Sequence, residues 1–124
     1  MKWYKQRQER RKAEVVAIKT IYPKARIVIH KGHFVVFLKV LGRKTNYLVK
    51  AIYPDDFPYK QPKAYVVEPR INDAPHRWGD GSLCFHEDCE GPQTSGKIIL
   101  DLSKKWIEAY EDWVDTGKWP KRVR

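Results

Sequence analysis

Four runs rich in β-branched and aromatic residues, separated by turn sequences, constrain the fold of this chain more than any other feature. The runs are Arg26–His30, His33–Leu41, Tyr47–Tyr53 and Ala64–Glu68. Lys31-Gly32 lies between the first two runs and is a hairpin signal, and Gly42-Arg43 makes the next turn. Consecutive strands with tight turns predict an antiparallel sheet in meander order over residues 26–68.

A proline-rich segment separates the third and fourth predicted strands. It reads Tyr53-Pro-Asp-Asp-Phe-Pro-Tyr-Lys-Gln-Pro62. Proline lacks an amide hydrogen and is excluded from the interior of a sheet. We therefore expect a stiff, extended connection, with its aromatic side chains packed under the edge of the sheet.

Helices are predicted before and after the sheet in the sequence. Residues 1–22 form a basic N-terminal helix that ends before Pro23. A second helix is expected over residues 103–116, capped by Asp101 or Ser103 and ended by Gly117. Its apolar face has helical spacing and consists of Trp106, Ile107, Tyr110, Trp113 and Val114. The order of helix, meander, loop and helix predicts one α+β domain over residues 1–124.

The charges of the second helix oppose its dipole. Lys104 and Lys105 are expected in its first turns, whereas Glu111, Asp112 and Asp115 are expected near its end. A helix dipole favours the opposite arrangement. We therefore expect packing of the aromatic face to hold this helix in place.

Length and composition limit the class of protein. A chain of 124 residues with 42% hydrophobic residues can bury a core without disulfide bonds. Because the sequence has no apolar run of membrane-spanning length and no signal peptide, we expect a cytoplasmic protein that does not bind membranes. The net charge of +10 has two interpretations, which are a surface for nucleic acid or acidic partners and a lysine-rich solubilising surface.

The candidate site is a loop predicted over residues 70–100. Within it lie His76, Cys84, His86 and Cys89. Gly79-Asp80-Gly81 allows the chain to turn sharply and to expose its amides, and Trp78 beside it is expected to pack. Two cysteines so close in sequence are a poor disulfide framework, which leaves a nucleophile, a metal ligand or a bystander.

Three chemistries remain open for this loop. In the first, Cys84 is a thiolate whose pKa is lowered by amides or by nearby His76 and His86. In the second, Cys84, His86 and Cys89 bind zinc with His76, although this spacing is cramped beside the usual pair of separated Cys-x2–4-Cys motifs. In the third, Cys84 is a small buried hydrophobic residue and the histidines only satisfy local hydrogen bonds.

The order of elements and the loop motif together resemble the ubiquitin-conjugating (UBC) fold family, most of all its short stand-alone bacterial members. The resemblance extends over roughly residues 27–119. Tyr53-Pro54, Pro58 and Pro62 match the proline segment of the family. The active loop of the family reads His-Pro-Asn, then several residues, then Gly-x-[Ile/Leu]-Cys. The matching positions here are Pro75, Gly81, Leu83 and Cys84, while Ala74 and His76 replace the histidine and the asparagine.

The resemblance implies a UBC-like fold without the last two helices of the family, and a transferase that needs no cofactor or metal. Cys84 would accept a ubiquitin-like protein from an activating enzyme as a thioester and pass it to an amine of a protein substrate. His76 would act as a base, an oxyanion donor or a brace of the loop, and His86 would tune the thiol. The docking surface for the activating enzyme would consist of Lys5, Arg7, Arg10 and Arg11. The bacterial relatives imply a context of antiphage defence.

Two other classes of function stay open. A non-catalytic adaptor of the same fold would bind proteins through the basic helix and the proline segment, and it would not need Cys84. A basic nucleic-acid-binding domain with a zinc loop would depend on the lysines and arginines, with binding that falls steeply as salt rises. Cys89 would be a bystander, or it would form a reversible disulfide bond with Cys84.

Overall fold

The computed structural model of the protein describes residues 2–85 and 95–120, which contain a four-stranded antiparallel sheet. Its strands lie in the order β1-β2-β3-β4 and confirm the predicted meander. The strand bounds are Arg26–His30 for β1, His33–Leu41 for β2, Asn46–Ile52 for β3 and Lys63–Glu68 for β4. The side chains of β2 alternate about the sheet, so that Phe34, Val36 and Leu38 lie in the core.

The first turn of the meander has the conformation that its sequence predicts. His30 pairs with His33, and Lys31 and Gly32 lie between them with φ angles of 52° and 80°. A two-residue turn with both φ angles positive matches the twist of the strands that it joins. Glycine adopts such an angle without strain, and Lys31 is one of two described non-glycine residues with a positive φ.

The predicted N-terminal helix is divided in two. Helix α1 covers Trp3–Gln6, helix α2 covers Gln8–Ile21, and Arg7 lies between them with φ −117° and ψ 65°. The side chain of Trp3 is 1% exposed and stacks on Tyr53 with 5.2 Å between ring centroids. Burying such a ring stabilises the fold by about 2–3 kcal/mol, which outweighs the ~1 kcal/mol of a helical hydrogen bond lost at a break.

The proline-rich segment packs as expected for part of its length. Tyr53 and Phe57 are fully buried and contact each other with 4.7 Å between ring centroids. Tyr59 differs from the expectation because its side chain is 65% exposed. Its hydroxyl accepts a hydrogen bond of 3.0 Å from Arg7, so the segment is attached to the junction of α1 and α2.

Helix α3 covers Gly96–Thr116, and the predicted start at residue 103 is wrong. Ser95 caps the helix and accepts a hydrogen bond of 3.3 Å from the amide of Ile98, whereas Ser103 lies buried within the helix. The start is fixed by a distant residue, since the buried carboxylate of Glu14 accepts a 2.8 Å hydrogen bond from the amide of Gly96. The loop predicted over residues 70–100 therefore ends before Gly96. None of the described helices is long and apolar enough to cross a membrane.

The acidic residues near the end of α3 pair with the turn between β2 and β3. Glu111 accepts a 3.0 Å hydrogen bond from the amide of Arg43 and a 3.3 Å bond from the hydroxyl of Tyr47. Burial, together with the charge of Glu111, raises the pKa of Tyr47 to about 12. Further ion pairs join Arg43 to Asp112 at 2.9 Å and Lys44 to Asp115 at 3.0 Å. These tertiary pairs explain acidic residues at a helix end that the dipole disfavours.

The inner face of α3 also differs in part from the prediction. Trp106 and Ile107 are buried and Tyr110 is packed against the core, as expected. Val114 is 57% exposed, so its assignment to the apolar face is wrong. Because the helix begins earlier than predicted, Ile99 and Leu100 supply apolar contacts that the shorter helix lacks.

Gly96→Ala tests the close approach of α3 to Tyr53. A Cβ atom at this position would lie 1.7 Å from the hydroxyl oxygen of Tyr53. Although alanine suits helices better than glycine, we expect the crowding to lower the free energy of unfolding by about 1–3 kcal/mol. Urea denaturation measures the change. The matched control is Gly79→Ala, which meets no atom within 4 Å and should change stability by less than about 0.5 kcal/mol. Equal stability of both variants would contradict the packing described.

Candidate functional site

Residues 76–84 form a short β-hairpin, called here the 76–84 hairpin. The amide of Cys84 donates a 2.9 Å hydrogen bond to the carbonyl of His76, and the amide of Trp78 donates one of 2.8 Å to the carbonyl of Ser82. Between these bonds, Arg77 and Leu83 form an antiparallel bridge. Gly81 closes the turn with a φ of 86°, an angle that favours glycine. The predicted sharp turn therefore exists, and it brings His76 and Cys84 to the open end of the hairpin.

The hairpin is attached to the sheet on one side and to α3 on the other. The amide of Leu83 donates a 2.9 Å hydrogen bond to the carbonyl of Ala64 in β4. The indole nitrogen of Trp106 in α3 donates one of 2.9 Å to the carbonyl of His76. These bonds satisfy main-chain groups that burial would otherwise leave unpaired, so they fix the main chain around Cys84.

Asp80 organises the turn of the hairpin. One carboxylate oxygen accepts hydrogen bonds of 2.9 Å from the amide and 2.6 Å from the hydroxyl of Ser82, and the other accepts one of 2.9 Å from Lys63. The bond from the Ser82 hydroxyl, followed by that from Lys63, holds the pKa of Asp80 well below its usual range. Asp80 in turn raises the pKa of Lys63. Asp80 therefore carries a negative charge under ordinary conditions.

Cys84 is a free thiol of intermediate exposure. Its neighbours Leu83 and Phe85 are 4% and 5% exposed. Because side chains alternate along an extended strand, burial of these two neighbours leaves Cys84 on the more accessible side. The third interpretation of the loop differs from the structure in one respect, since Cys84 is partly exposed and not buried. Such a thiol can be reached by a reagent while its main chain is held in place.

His76 adopts an uncommon main-chain conformation. Its φ angle is 59°, in the left-handed region where asparagine, aspartate and histidine are enriched among non-glycine residues. Its ring is half-buried and packs against Trp119, with 4.8 Å between ring centroids. The conformation gives a physical reason why this position would accept either asparagine or histidine.

His86 and Cys89 lie outside the described residues, so their predicted roles stay predictions. The same holds for a zinc site that needs both of them. Within residues 2–85 and 95–120, no three His, Cys, Asp or Glu side chains lie close enough together to hold a metal ion.

The four predicted docking residues have different environments. Arg7 lies over the ring of Tyr59 at 5.0 Å, in addition to its hydrogen bond to the hydroxyl. The Arg10 guanidinium lies 5.0 Å from the centroid of the Phe57 ring and pairs with Glu14 at 3.4 Å, so it has a role in holding the fold. Lys5 and Arg11 are exposed on α1 and α2. Arg7 and Arg10 therefore contact the proline segment directly.

A cavity of about 340 Å³ lies between the proline segment and the 76–84 hairpin. Its lining consists of Tyr59, Lys60, Gln61, Pro62, Lys63, Trp78, Ser82, Leu83 and Phe85. The expectation that Trp78 packs is wrong, since its side chain is 63% exposed. The indole of Trp78 contributes to the lining, so an exposed aromatic ring borders the cavity beside the hairpin turn.

Sequence reasoning missed three residues that build the site. Trp106 was assigned only to an apolar helix face, whereas its indole donates to His76. The sequence alone indicates no contact of Trp119 with His76 and no ion pair of Lys63 with Asp80. A signal for Trp119 exists, since a tryptophan two residues after the helix-ending Gly117 is placed to fold back on the helix.

Asp80→Ala tests whether the hydrogen bonds of Asp80 stabilise the turn of the hairpin. Loss of its hydrogen bonds should increase hydrogen exchange at the amides of Trp78 and Cys84 on the order of a few-fold. Because the pKa of Asp80 is lowered from 3.8, the contribution of its charge is present above that value and is lost only at more acidic pH. In the wild type, hydrogen exchange at the amides of the hairpin, corrected for its intrinsic pH dependence, should therefore not increase as the pH falls to 3.8.

The matched control for this change is Asp73→Ala, since Asp73 is an exposed aspartate between β4 and the hairpin. It should leave exchange in the hairpin unchanged. Equal exchange in the Asp80→Ala variant and the wild type would contradict the role given to Asp80.

Two solved structures with a similar fold are ubiquitin-conjugating enzymes. A crystal structure of ubiquitin conjugating enzyme E2 from Plasmodium falciparum is 20% identical, with a TM-score of 0.58, over 82% of this chain and 84% of the other. A ubiquitin conjugating enzyme E2 of Plasmodium vivax is 22% identical, with a TM-score of 0.50, over 77% of this chain and 97% of the other. These similarities confirm the predicted UBC-like α+β fold. Among curated proteins, none matches the sequence.

The sequence profile of a bacterial antiphage family, described as "Type II CBASS E2 protein", matches residues 14–124. The match includes the sheet, the 76–84 hairpin and α3, and it confirms the predicted resemblance to bacterial members of the UBC fold. The chain therefore belongs to the family of Type II CBASS E2 proteins.

Proposed function

We propose that this protein is a conjugating enzyme of bacterial antiphage defence that carries a ubiquitin-like protein as a thioester on Cys84. The observation that carries the proposal is the position of Cys84, an accessible thiol at the end of a hairpin that is hydrogen-bonded to both the sheet and α3. The family match and the UBC-like fold support it. A fixed main chain around an accessible nucleophile is the arrangement that covalent catalysis requires.

The proposed reaction has two steps. In the first, the thiolate of Cys84 attacks the thioester carbonyl presented by an activating enzyme, and the thiolate of that enzyme leaves. In the second, an amine of a protein substrate attacks the carbonyl on Cys84, the C–S bond breaks, and the amine loses a proton as the amide forms. The thioester keeps the carbonyl reactive between the steps, so the chain needs no cofactor.

His76 is the proposed assisting residue. A base, an oxyanion donor and a brace of the loop are the roles that the resemblance implies for it. A structural role in holding the loop is supported by the hydrogen bonds of the His76 carbonyl, which accepts one from Cys84 and one from Trp106. His86 remains a proposed modulator of the thiol, on the basis of its position in the sequence alone.

The proposed partners are a ubiquitin-like protein, its activating enzyme and a protein substrate. Lys5 and Arg11 are the candidates for contact with the activating enzyme, because both are exposed on α1 and α2. Arg7 and Arg10 already bind the proline segment and Glu14, so their charges are partly used within the chain. Exposed charges at the rim of an interface chiefly accelerate association.

A small thioester tests the proposed nucleophile without its partners. Incubation with the mercaptoethanesulfonate thioester of N-acetyl-diglycine should add one acetyl-diglycyl group to the protein, as measured by intact mass. Dithiothreitol should remove the group, because thiols exchange with thioesters. Cys84→Ala should prevent the addition, while Cys89→Ala should leave it unchanged. Modification of Cys89 in place of Cys84 would contradict the proposal.

Charge reversal tests the proposed docking surface. Lys5→Glu combined with Arg11→Glu should reduce the thioester adduct formed in cells that contain the native partners. The proposed binding site on the activating enzyme is acidic, so the new carboxylates would repel it and slow association. The same variant should react normally with the small thioester. Lys24→Glu, an exposed change beyond α2, is the matched control and should retain the cellular adduct. An undiminished adduct in the double variant would contradict a role for these two residues.

A further inference from the structure

The carbonyl of His76 joins the candidate nucleophile to α3 through a single atom. It accepts a 2.9 Å hydrogen bond from the amide of Cys84 and another of 2.9 Å from the indole of Trp106. A carbonyl oxygen has two lone pairs, so these bonds use its full accepting capacity. Trp106 is 4% exposed and stacks on Tyr110 with an interplanar angle of 7°, so the position of its indole is restricted.

The ring of His76 is held by a second indole. Trp119 packs against the imidazole with 4.8 Å between ring centroids, and against Trp106 with 5.3 Å. Gly117 makes this return possible, since it ends α3 with a φ of 77° and allows the chain to reverse. Trp106 and Trp119, called here the indole pair, therefore contact the main chain and the side chain of the same residue.

We propose that Trp106 and Trp119 are positioning residues for the transfer of the acyl group from Cys84 to an amine. The inference rests on the proposed function. Both indoles act through His76, which each of them contacts. Trp106 fixes its carbonyl relative to Cys84, and Trp119 fixes the direction of its ring.

The two steps of the reaction differ in their need for a positioned imidazole. Exchange of a thiolate with a thioester forms one C–S bond and breaks another, and no proton is transferred. Attack by a neutral amine places a positive charge on its nitrogen, so a proton must leave as the amide forms and the thiolate of Cys84 departs. A correctly placed proton acceptor assists this second step more than the first, because only the attacking amine has a proton to lose. Release of the imidazole should therefore slow aminolysis selectively.

Single-turnover kinetics of the full chain test the inference with N-acetyl-diglycine mercaptoethanesulfonate as donor and free lysine as acceptor. Trp119→Leu removes the ring that holds the imidazole, and Trp106→Phe removes the N–H donor but keeps an aromatic ring. Both should slow aminolysis roughly ten- to a hundredfold while the rate of acyl-group loading is retained. Trp119→Phe keeps an aromatic ring and should restore most of the aminolysis rate.

Trp113 supplies the matched controls. It lies on the same helix and contacts Tyr110 with 6.1 Å between ring centroids. Trp113→Leu and Trp113→Phe should leave both steps unchanged. A proportional loss of both steps with lowered thermal stability in the indole-pair variants would indicate a merely structural role and overturn the inference.

Proton NMR of the folded wild type gives an independent readout. The imidazole protons of His76 should be shifted by the ring current of Trp119, and the indole proton of Trp106 should exchange slowly. Trp119→Phe should reduce the shift without unfolding the protein. Absence of the ring-current shift in the wild type would overturn the inference even if Trp119→Leu does not fold.

Failure of the inference is distinguishable from failure of the proposed function. A wild-type protein that gains no acyl group on Cys84 would overturn both. A wild-type protein that loads and transfers the group, with unchanged aminolysis in folded Trp106→Phe and Trp119→Leu, would overturn the positioning role alone.

Discussion

The buried carboxylate of Glu14 connects the three parts of the fold on which the site depends. It is 3% exposed, accepts a 2.6 Å hydrogen bond from Tyr53 and one of 2.8 Å from the amide of Gly96, and pairs with Arg10 at 3.4 Å. A buried charge is tolerated only with such partners. These bonds attach α2 to the end of β3 and to the first residue of α3. The placement of α3, and with it Trp106, therefore depends on Glu14.

The position of the 76–84 hairpin depends in turn on the placement of α3. One side bonds to Ala64 in β4, the other bonds to Trp106 in α3, and the turn is held by the pair of Asp80 and Lys63. The main chain at Cys84 is thus fixed before any partner binds. In the proposed reaction this preorganisation lowers the cost of bringing an acyl group and an amine together. The thiol itself stays accessible, as a nucleophile that meets large protein partners requires.

The sequence predicts local features well, but not those set by distant contacts. The meander follows from strand runs separated by turns, and the sharp turn of the hairpin follows from Gly79 to Gly81, because neighbouring residues determine both. The start of α3 at Gly96 depends on Glu14, far away in the sequence, so propensity and capping signals alone placed it too late. The break at Arg7 likewise follows from burial of Trp3. The loop motif predicts the family, which the family match confirms, and it makes Cys84 the proposed nucleophile. The contacts of Trp106 and Trp119 with His76 depend on three-dimensional placement, which the motif does not contain.

The proposed function requires that Cys84 carries a protein as a thioester in the cell. Its most direct test is the intact mass of this protein isolated under non-reducing conditions from its native host, where its own partners are present. We expect an adduct of the size of a ubiquitin-like protein, which dithiothreitol removes and Cys84→Ala abolishes. An adduct that persists in Cys84→Ala, or antiphage protection that this variant retains in full, would contradict the claim. The latter result would instead favour a non-catalytic adaptor of the same fold.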